Sequence, residues 1–490
     1  MLASALVVTA IVLIPVLYRV WFHPLSHVPG PLVAKISSLP LYIVCYIGIE
    51  ASLLRYYHEK YKTKVLRVAP NSVSISTFES IRDIYVAGGG FPKDDRYKNL
   101  DMGPIASIFS ARDTEYRDLR AKAVAPLFAP AQVRSEGGPT GVIGSCVAEF
   151  VDQLTELRNA RIKTDILDLC ARLSIDIITG YLLGKRYGGL SENKHLTPEE
   201  RQSDWAKLSA NPWVHAVVSW ARFSLLPNGI FRLVYPIYQG LNASEQVTES
   251  FAKVDRFAQG VMETAATVKA AKAYYYHERL LQAGVSPVET TAQSQAIIFA
   301  GADSTAVMLV TILFHLIQNG AARIRLQCEI RSPPSNQGGM PFLRAVVKEG
   351  LRLGMANPTR LTRVVPKGPG FRVGNILLPP GTVVGCAAYN LHHDPDVFPD
   401  PFAFRPERWL DDGTDRGLRR PSMEKSMIPF GAGSRACIGK NLALYEMQET
   451  IMAIIDSEVL EGARTCQDRI ELTEWFNGDI KGHRVDIDWT

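Results

Sequence analysis

Phe430-Gly-Ala-Gly433-Ser-Arg435-Ala-Cys437-Ile-Gly439 decides how this chain is read. Three glycines in nine residues let the backbone take positive φ and come close to a flat partner. Leu442, Ala443 and Leu444 then open a helical pattern, so Cys437 falls near a helix N-terminus. There the dipole and free N–H groups favour a thiolate, the form of sulfur that ligates metal. Arg435, two residues earlier, carries a permanent cation suited to a carboxylate. For a lone cysteine, a buried structural residue in a Gly-rich turn is the plainer reading. The ten-residue pattern outweighs it.

Phe, Gly, Arg, Cys and Gly at this spacing resemble the haem-binding loop of the cytochrome P-450 family, F-x-x-G-x-R-x-C-x-G, at every fixed position. The resemblance implies that Cys437 is the axial thiolate of haem b, donating electron density through iron. It implies that Arg435 holds a propionate, Phe430 shields the sulfur and Gly433 shapes the turn. Gly439 would leave room for the N–H groups that tune the thiolate.

The composition suits such a protein. Of 490 residues, 47% are hydrophobic and 21% charged, which fits a folded chain with a large core. A net charge of +5 without a long Lys/Arg block gives no support for nucleic acid and leaves a mildly basic face for an acidic partner or lipid. The seven cysteines are scattered with no C-x-x-C pair, which argues against a disulfide framework and a zinc site.

Leu2 to Tyr18 carry no charge. As a helix extended through Phe22 they reach roughly 30 Å, a bilayer's hydrocarbon thickness. Residues 1–22 are read as an uncleaved transmembrane anchor, because a signal peptide's basic start and small-residue cleavage site are not evident. Arg19, Lys35 and Arg55 set against a first acidic residue at Glu50 place the remainder on the cytosolic side. Residues 23–35, with Pro24, Pro29, Gly30 and Pro31, read as a stiff linker, and 36–490 as the catalytic domain. Tyr18 through Pro31 and Arg67 through Ser74 resemble fungal, membrane-bound members, which implies the endoplasmic reticulum membrane and secondary metabolism.

Phe91 to Ser110 lacks clear periodicity and corresponds to the family's pocket-covering loop, so Ile105 and Phe109 are expected at the substrate. Glu115-Tyr116-Arg117-Asp-Leu-Arg120 opens a helix. Tyr116 stands where the family has Trp or His, and Arg120, one turn on, is implied to contact a propionate. Val142 to Gly284 is repeatedly helical. There Trp213, His215, Trp220 and Phe223 read equally as packing or as a pocket roof.

The proline-free apolar run from Thr290 to Asn319 predicts a helix of about 45 Å. At its middle lies Ala300-Gly301-Ala302-Asp303-Ser304-Thr305. An acid and two hydroxyls cost free energy in an apolar helix unless partnered, Gly301 weakens it by roughly 1 kcal/mol relative to Ala, and a Ser bonding back to the i−4 carbonyl bends it. A kinked structural helix is the plain reading. The run also resembles the family's oxygen-activating A-G-x-D-T-T, which implies that the helix opens beside iron and that Asp303 and Ser304 deliver protons. Ser304 replaces the usual Thr, and Thr305 is a substitute alcohol. Phe299 and Ala300 would line the pocket.

Lys348-Glu349-Gly350-Leu351-Arg352 matches E-x-x-R, and Pro406-Glu407-Arg408-Trp409 resembles P-E-R-F. Together they imply a buried structural set in which Glu349 lies between Arg352 and Arg408. Gly350 is locally unfavourable in that helix. The connection from Arg331 to Phe342 is shorter than in relatives, implying a missing peripheral helix. Leu361 and Phe476 are further pocket expectations, Arg363 is a second propionate candidate, and Gly374 to Val384 reads as a hairpin. His392 and His393 have no third ligand at metal spacing.

The expectation is a mainly α chain with a small β-sheet lobe, a cytochrome P-450 fold carrying an N-terminal transmembrane helix. It would insert one atom of O2 into an apolar small molecule. No G-x-G-x-x-G or flavin segment is evident, so electrons would come from a separate NADPH-cytochrome P-450 reductase, docking near Arg435 and Lys440. Two alternatives use the same scaffold. One is an isomerase or dehydratase working without O2, the other a non-enzymatic haem-binding protein. The acid–alcohol pair and the long pocket loop count against both.

Overall fold

The computed structural model describes residues 11, 13–138, 140–267, 273–332, 339–410 and 415–489. Six helices and one sheet position the site: α1 (Thr114–Val124), α2 (Val142–Asn159), α3 (Ile166–Leu183), α4 (Pro287–Gln318), α5 (Pro341–Gly354) and α6 (Lys440–Asp456). The mainly helical expectation holds, and every strand belongs to a small sheet.

Helix α4 is the axis. Its 32 residues span about 48 Å at 1.5 Å per residue. Ser286 caps it by accepting the Glu289 N–H, and Pro287 takes the first helical position, where no N–H is needed. Thr305 through Phe314 are all buried, so this stretch of the helix is enclosed on every side. Among the described residues α4 is the one helix long and apolar enough to cross a bilayer, yet it forms the protein core. It runs unbroken through Ala300–Thr305 and does not open there as expected. The Ser304 hydroxyl instead adds a bond to the Ala300 carbonyl at 2.6 Å.

Two glycines set how closely the neighbours approach α4. A Cβ on Gly301 would meet the Ile178 side chain of α3 at 2.6 Å, and one on Gly350 of α5 would meet Ile312 Cγ1 at 2.1 Å. Both positions, unfavourable by helix propensity, are explained by packing.

Strands β1 (Val65–Ala69), β2 (Ser72–Ile75), β3 (Arg363–Val364) and β4 (Val383–Gly385) form one sheet in the order β1-β2-β4-β3. β1 and β2 pair antiparallel, and β2 and β4 pair parallel. This corrects the hairpin expectation. The hairpin pairs Phe371–Val373 with Ile376–Leu378, turning at Gly374 with φ of 55°. Pro379 and Pro380 carry no N–H for a ladder, and Val383 onward joins the sheet.

Glu349 is fully buried, receiving both Arg352 Nε (3.0 Å) and Nη2 (2.8 Å), Arg408 Nε (3.1 Å), Trp409 Nε1 (2.9 Å) and the Arg405 N–H (2.9 Å). Burial pushes its carboxyl up, and the two guanidiniums overcome this and hold it below the usual range. His392 extends the set: Arg352 Nη1 donates to its carbonyl at 2.9 Å, and its Nε2 accepts the Ile428 N–H at 3.0 Å. Both histidines are thus structural, since His393 Nδ1 lies 3.0 Å from the Tyr389 carbonyl. Helix α5 follows a helix ending at Arg331, and residues 333–338 of the short connection lie outside the described residues.

Residues 1–10 and 12 of the expected anchor also lie outside the described residues, and Leu13–Phe22 is a short apolar helix. The linker is docked on the sheet. Leu25 and Val28 are fully buried, and Arg67 donates to the carbonyls of Arg19 at 2.9 Å and Leu25 at 3.3 Å.

Candidate active site

The Cys437 loop is shaped by backbone geometry. Gly431 and Gly433 have φ of 68° and 70°, and the Gly431 N–H closes a turn onto the Ile428 carbonyl at 2.9 Å. A Cβ on Gly433 would lie 1.8 Å from the Tyr85 carbonyl oxygen, so this glycine lets the loop pass the segment Arg82–Val86. The Cys437 N–H donates to the Phe430 carbonyl at 2.8 Å, and Gly439 is the N-cap of α6. Burial pushes the Cys437 thiol up, while the N–H groups of Gly439 and Lys440 and the Lys440 charge oppose it. A Cβ on Gly439 would sit 3.8 Å from the sulfur, an ordinary contact. Its N–H, rather than spare room, is what acts on the thiol.

The sulfur opens onto a cavity of about 290 Å³. Phe430, Arg435 and Gly439 of the loop line it, and α4 contributes Phe299, Ala300, Ser304 and Thr305. Phe109, Leu361, Arg363 and Phe476 complete the expected set. The cavity also takes Trp220 from the segment read as a roof, and Tyr276. Phe109, Tyr97 and Phe476 form a ring cluster with centroids 5.5 to 5.8 Å apart.

Four expectations fall outside the cavity wall. Gly433 packs on Tyr85, as above. Ile105 pairs with Met102 in an isolated bridge, and Ile108 lines the cavity in its place. Arg120 faces Glu289 at the start of α4, pairing through Nε and through Nη2 at 2.8 Å, and its guanidinium lies 3.4 Å over the Tyr116 ring. The carboxylate of Glu289 provides a stronger partner there than a cavity wall. Asp303 lines no part of the cavity and lies beside Asn477, Asp479 and His483. Burial first, then the Asp479 charge, pushes its carboxyl up to about 7, against the Asn477 hydrogen bond and His483. Ser304, Thr305 and Asn477, though, do border the cavity.

Sequence reasoning missed two cations on the wall, Lys93 and Arg117. Lys93 is buried, donates to the Phe109 carbonyl and stands over the Tyr97 ring at 4.2 Å. Burial first, then Arg363, Arg435 and Arg117, hold its amine well below the usual range. Arg117 stands in the same run, but the family spacing points three residues further on, to Arg120. Arg435 donates to the Ala111 carbonyl at 3.0 Å and Thr114 Oγ1 at 3.3 Å. It is therefore turned inward, and of the expected reductase contacts only Lys440 is exposed.

These residues fit a haem. One thiol is placed at a helix N-terminus on the cavity wall, and four cations gather on the same wall. Arg117 Nε is buried with no hydrogen-bond partner, so an acceptor entering the cavity would satisfy it. Lys93, Arg117, Arg363 and Arg435 are thus the groups that could hold two propionates. Glu446 of α6 is the acid on the wall. Burial pushes it up to about 8, against the Ser174 hydroxyl that donates to it at 2.8 Å.

The family model for cytochrome P-450 matches residues 42–458. The chain is 68% identical over 495 aligned residues to a cytochrome P-450 monooxygenase, mfmF, of Annulohypoxylon moriforme, covering 99% of this chain and 100% of that protein. It is 28% identical to a pisatin demethylase of Fusarium vanettenii, over 92% of this chain and 87% of that protein. It is 29% identical to the monooxygenase oblB of Aspergillus clavatus, over 90% and 86%. With the thiol, the cation set and these matches together, the chain belongs to the cytochrome P-450 family and is a monooxygenase of that family.

Proposed function

We propose that this monooxygenase inserts one oxygen atom from O2 into an apolar small molecule of fungal secondary metabolism, with electrons from an NADPH-dependent reductase. The observation that carries the reading is the Cys437 thiol on one wall of a cavity whose other walls hold Phe109, Phe299, Leu361 and Phe476. When bound, haem supplies the oxygen-activating chemistry. The residues of the chain do the rest. Cys437 would hold the iron, and the Gly439 and Lys440 N–H groups oppose the rise that burial gives its thiol. The four cations orient the porphyrin through its propionates. Apolar side chains bind the substrate and exclude water. Asp303, poised near pH 7, holds a proton on the helix turn that presents Ser304 and Thr305 to the cavity. The names of the relatives, monooxygenases and a pisatin demethylase of fungi, support the same class of reaction.

A bilayer is the proposed setting, with the catalytic part on the cytosolic face of the endoplasmic reticulum. Leu13–Phe22 exposes Ile14, Trp21 and Phe22. The helix Asn228–Asn242 has no buried residue and exposes Leu233, Ile237 and Leu241. Arg222 joins this helix to the helix Leu39–Ile47, lying 5.3 Å over Tyr238 and 5.4 Å over Tyr46. The absorption spectrum of the reduced protein with carbon monoxide tests the central claim. A strongly red-shifted Soret band, absent in Cys437→Ser, is expected. A haem spectrum without that shift would remove the thiolate and the oxygenase with it.

A further inference from the structure

The helix Asn211–Trp220 and the C-terminal turn after Gly478–Ile480 meet beside Asp303. His215 of the helix, and Asp479 and His483 of the C-terminal segment, each bring one ligating atom to within 4.8 Å of the other two. The rings of His215 and His483 have centroids 3.9 Å apart, and His483 Nδ1 lies 3.0 Å from Asp479 Oδ1. We propose that His215, Asp479 and His483 form a binding site for a divalent transition metal of the zinc class, which clips this helix to the C-terminal turn.

Two imidazole nitrogens and a carboxylate oxygen, with water in the fourth position, are a donor set that zinc accepts in tetrahedral geometry. Ligand bonds of about 2.0–2.2 Å place tetrahedral donors roughly 3.3 Å apart. Side-chain rotations of about 1 Å therefore close the set around an ion, within ordinary rotamer freedom. The His483 side chain is 45% exposed, which provides an entry path and room for the water. The surrounding charges favour a cation. The Asp168 carboxylate acts on His215, and the opposing Lys207 is paired with Asp165 at 3.3 Å. The site bears on the cavity. Val217 and Trp220 of the helix line it, as do Phe476 and Asn477, which lead into the strand that carries Asp479, so a bound ion ties two of its walls together.

The test uses the haem-loaded full chain without a polyhistidine tag, stripped with a chelator and dialysed against zinc chloride, with bound metal counted by elemental mass spectrometry. One zinc ion per chain is expected at micromolar free metal, together with a raised thermal midpoint. His483→Ala and His215→Gln each lower the affinity by at least about tenfold. His195→Ala, an exposed histidine elsewhere, leaves it unchanged. An unchanged carbon monoxide spectrum verifies that each variant is folded. Equal zinc uptake by the parent and both site variants, or no uptake below millimolar zinc, would overturn the proposal.

Discussion

Gly350→Ala separates helix propensity from packing by the sign of its effect. In an isolated helix the change is worth about 1 kcal/mol of added stability. In this protein the new Cβ lands 2.1 Å from Ile312 Cγ1, 3.0 Å from its Cδ1 and 3.3 Å from its Cβ. Both residues are buried, and α4 and α5 are held by the core on every side, so neither helix has free space to move into. Overpacking costs about 1–3 kcal/mol, and a 2.1 Å contact belongs at the upper end. The expected net is a loss of about 2 kcal/mol. Ile312→Ala removes Cγ1 and Cδ1 and alone costs about 2–5 kcal/mol. The double variant should be less destabilised than the sum of the singles by about 3 kcal/mol, the overpacking cost that is relieved. Denaturant midpoints of the haem-loaded protein, followed by circular dichroism, give all four corners of the cycle. A Gly350→Ala variant as stable as the parent, or strictly additive behaviour, would refute the packing argument.

The remaining predictions address the site and its supports. Arg117→Ala should release haem faster than Arg120→Ala, since Arg117 faces the cavity with an unpartnered Nε and Arg120 is committed to Glu289; transfer of haem to apomyoglobin ranks the two rates, and the reverse order would restore Arg120 to the propionate. Glu349→Gln leaves Arg352 and Arg408 as buried cations without their carboxylate, which should cost about 3–5 kcal/mol and strongly reduce the yield of haem-loaded protein. Glu446 has its carboxyl raised in the fold to about 8 from 4.5, so its stability contribution is full below pH 4.5 and lost as pH rises through 8. Glu446→Gln keeps the Ser174 bond without that loss and should gain on the parent across this window by an amount on the order of 5 kcal/mol at most; parallel stability curves from pH 5 to 9 would contradict it.

The site was legible in the sequence where a motif is contiguous. The Cys437 loop, the Ala300–Thr305 run and the Glu349–Arg352 pair each lie within ten residues, and the structure places Cys437, Arg435, Ala300, Ser304 and Thr305 on the cavity wall and Glu349 at its expected partners. Legibility failed where side-chain direction depended on a distant partner. Arg120 and Arg117 differ by less than one helical turn, and Glu289, 169 residues away, decides which of them turns from the cavity. Lys93 stood in a loop without periodicity, and nothing local marks it as buried. Asp303 was expected toward the oxygen site, but Asn477, Asp479 and His483 surround it from the opposite end of the chain.

The amino-acid order alone determined the family and the helical class, because the Cys437 loop that resembles the family's motif and the apolar helical periodicity are local arrangements. Glycine roles show the other half. By propensity Gly301 and Gly350 only weaken their helices. Tertiary structure makes them the points where α3 and α5 approach α4, since the missing Cβ is the space that Ile178 and Ile312 occupy. The meeting of His215 with Asp479 and His483 has no trace in spacing either, for it joins residues more than 260 positions apart. Close packing in three dimensions, which sums contacts from the whole chain, chose these partners.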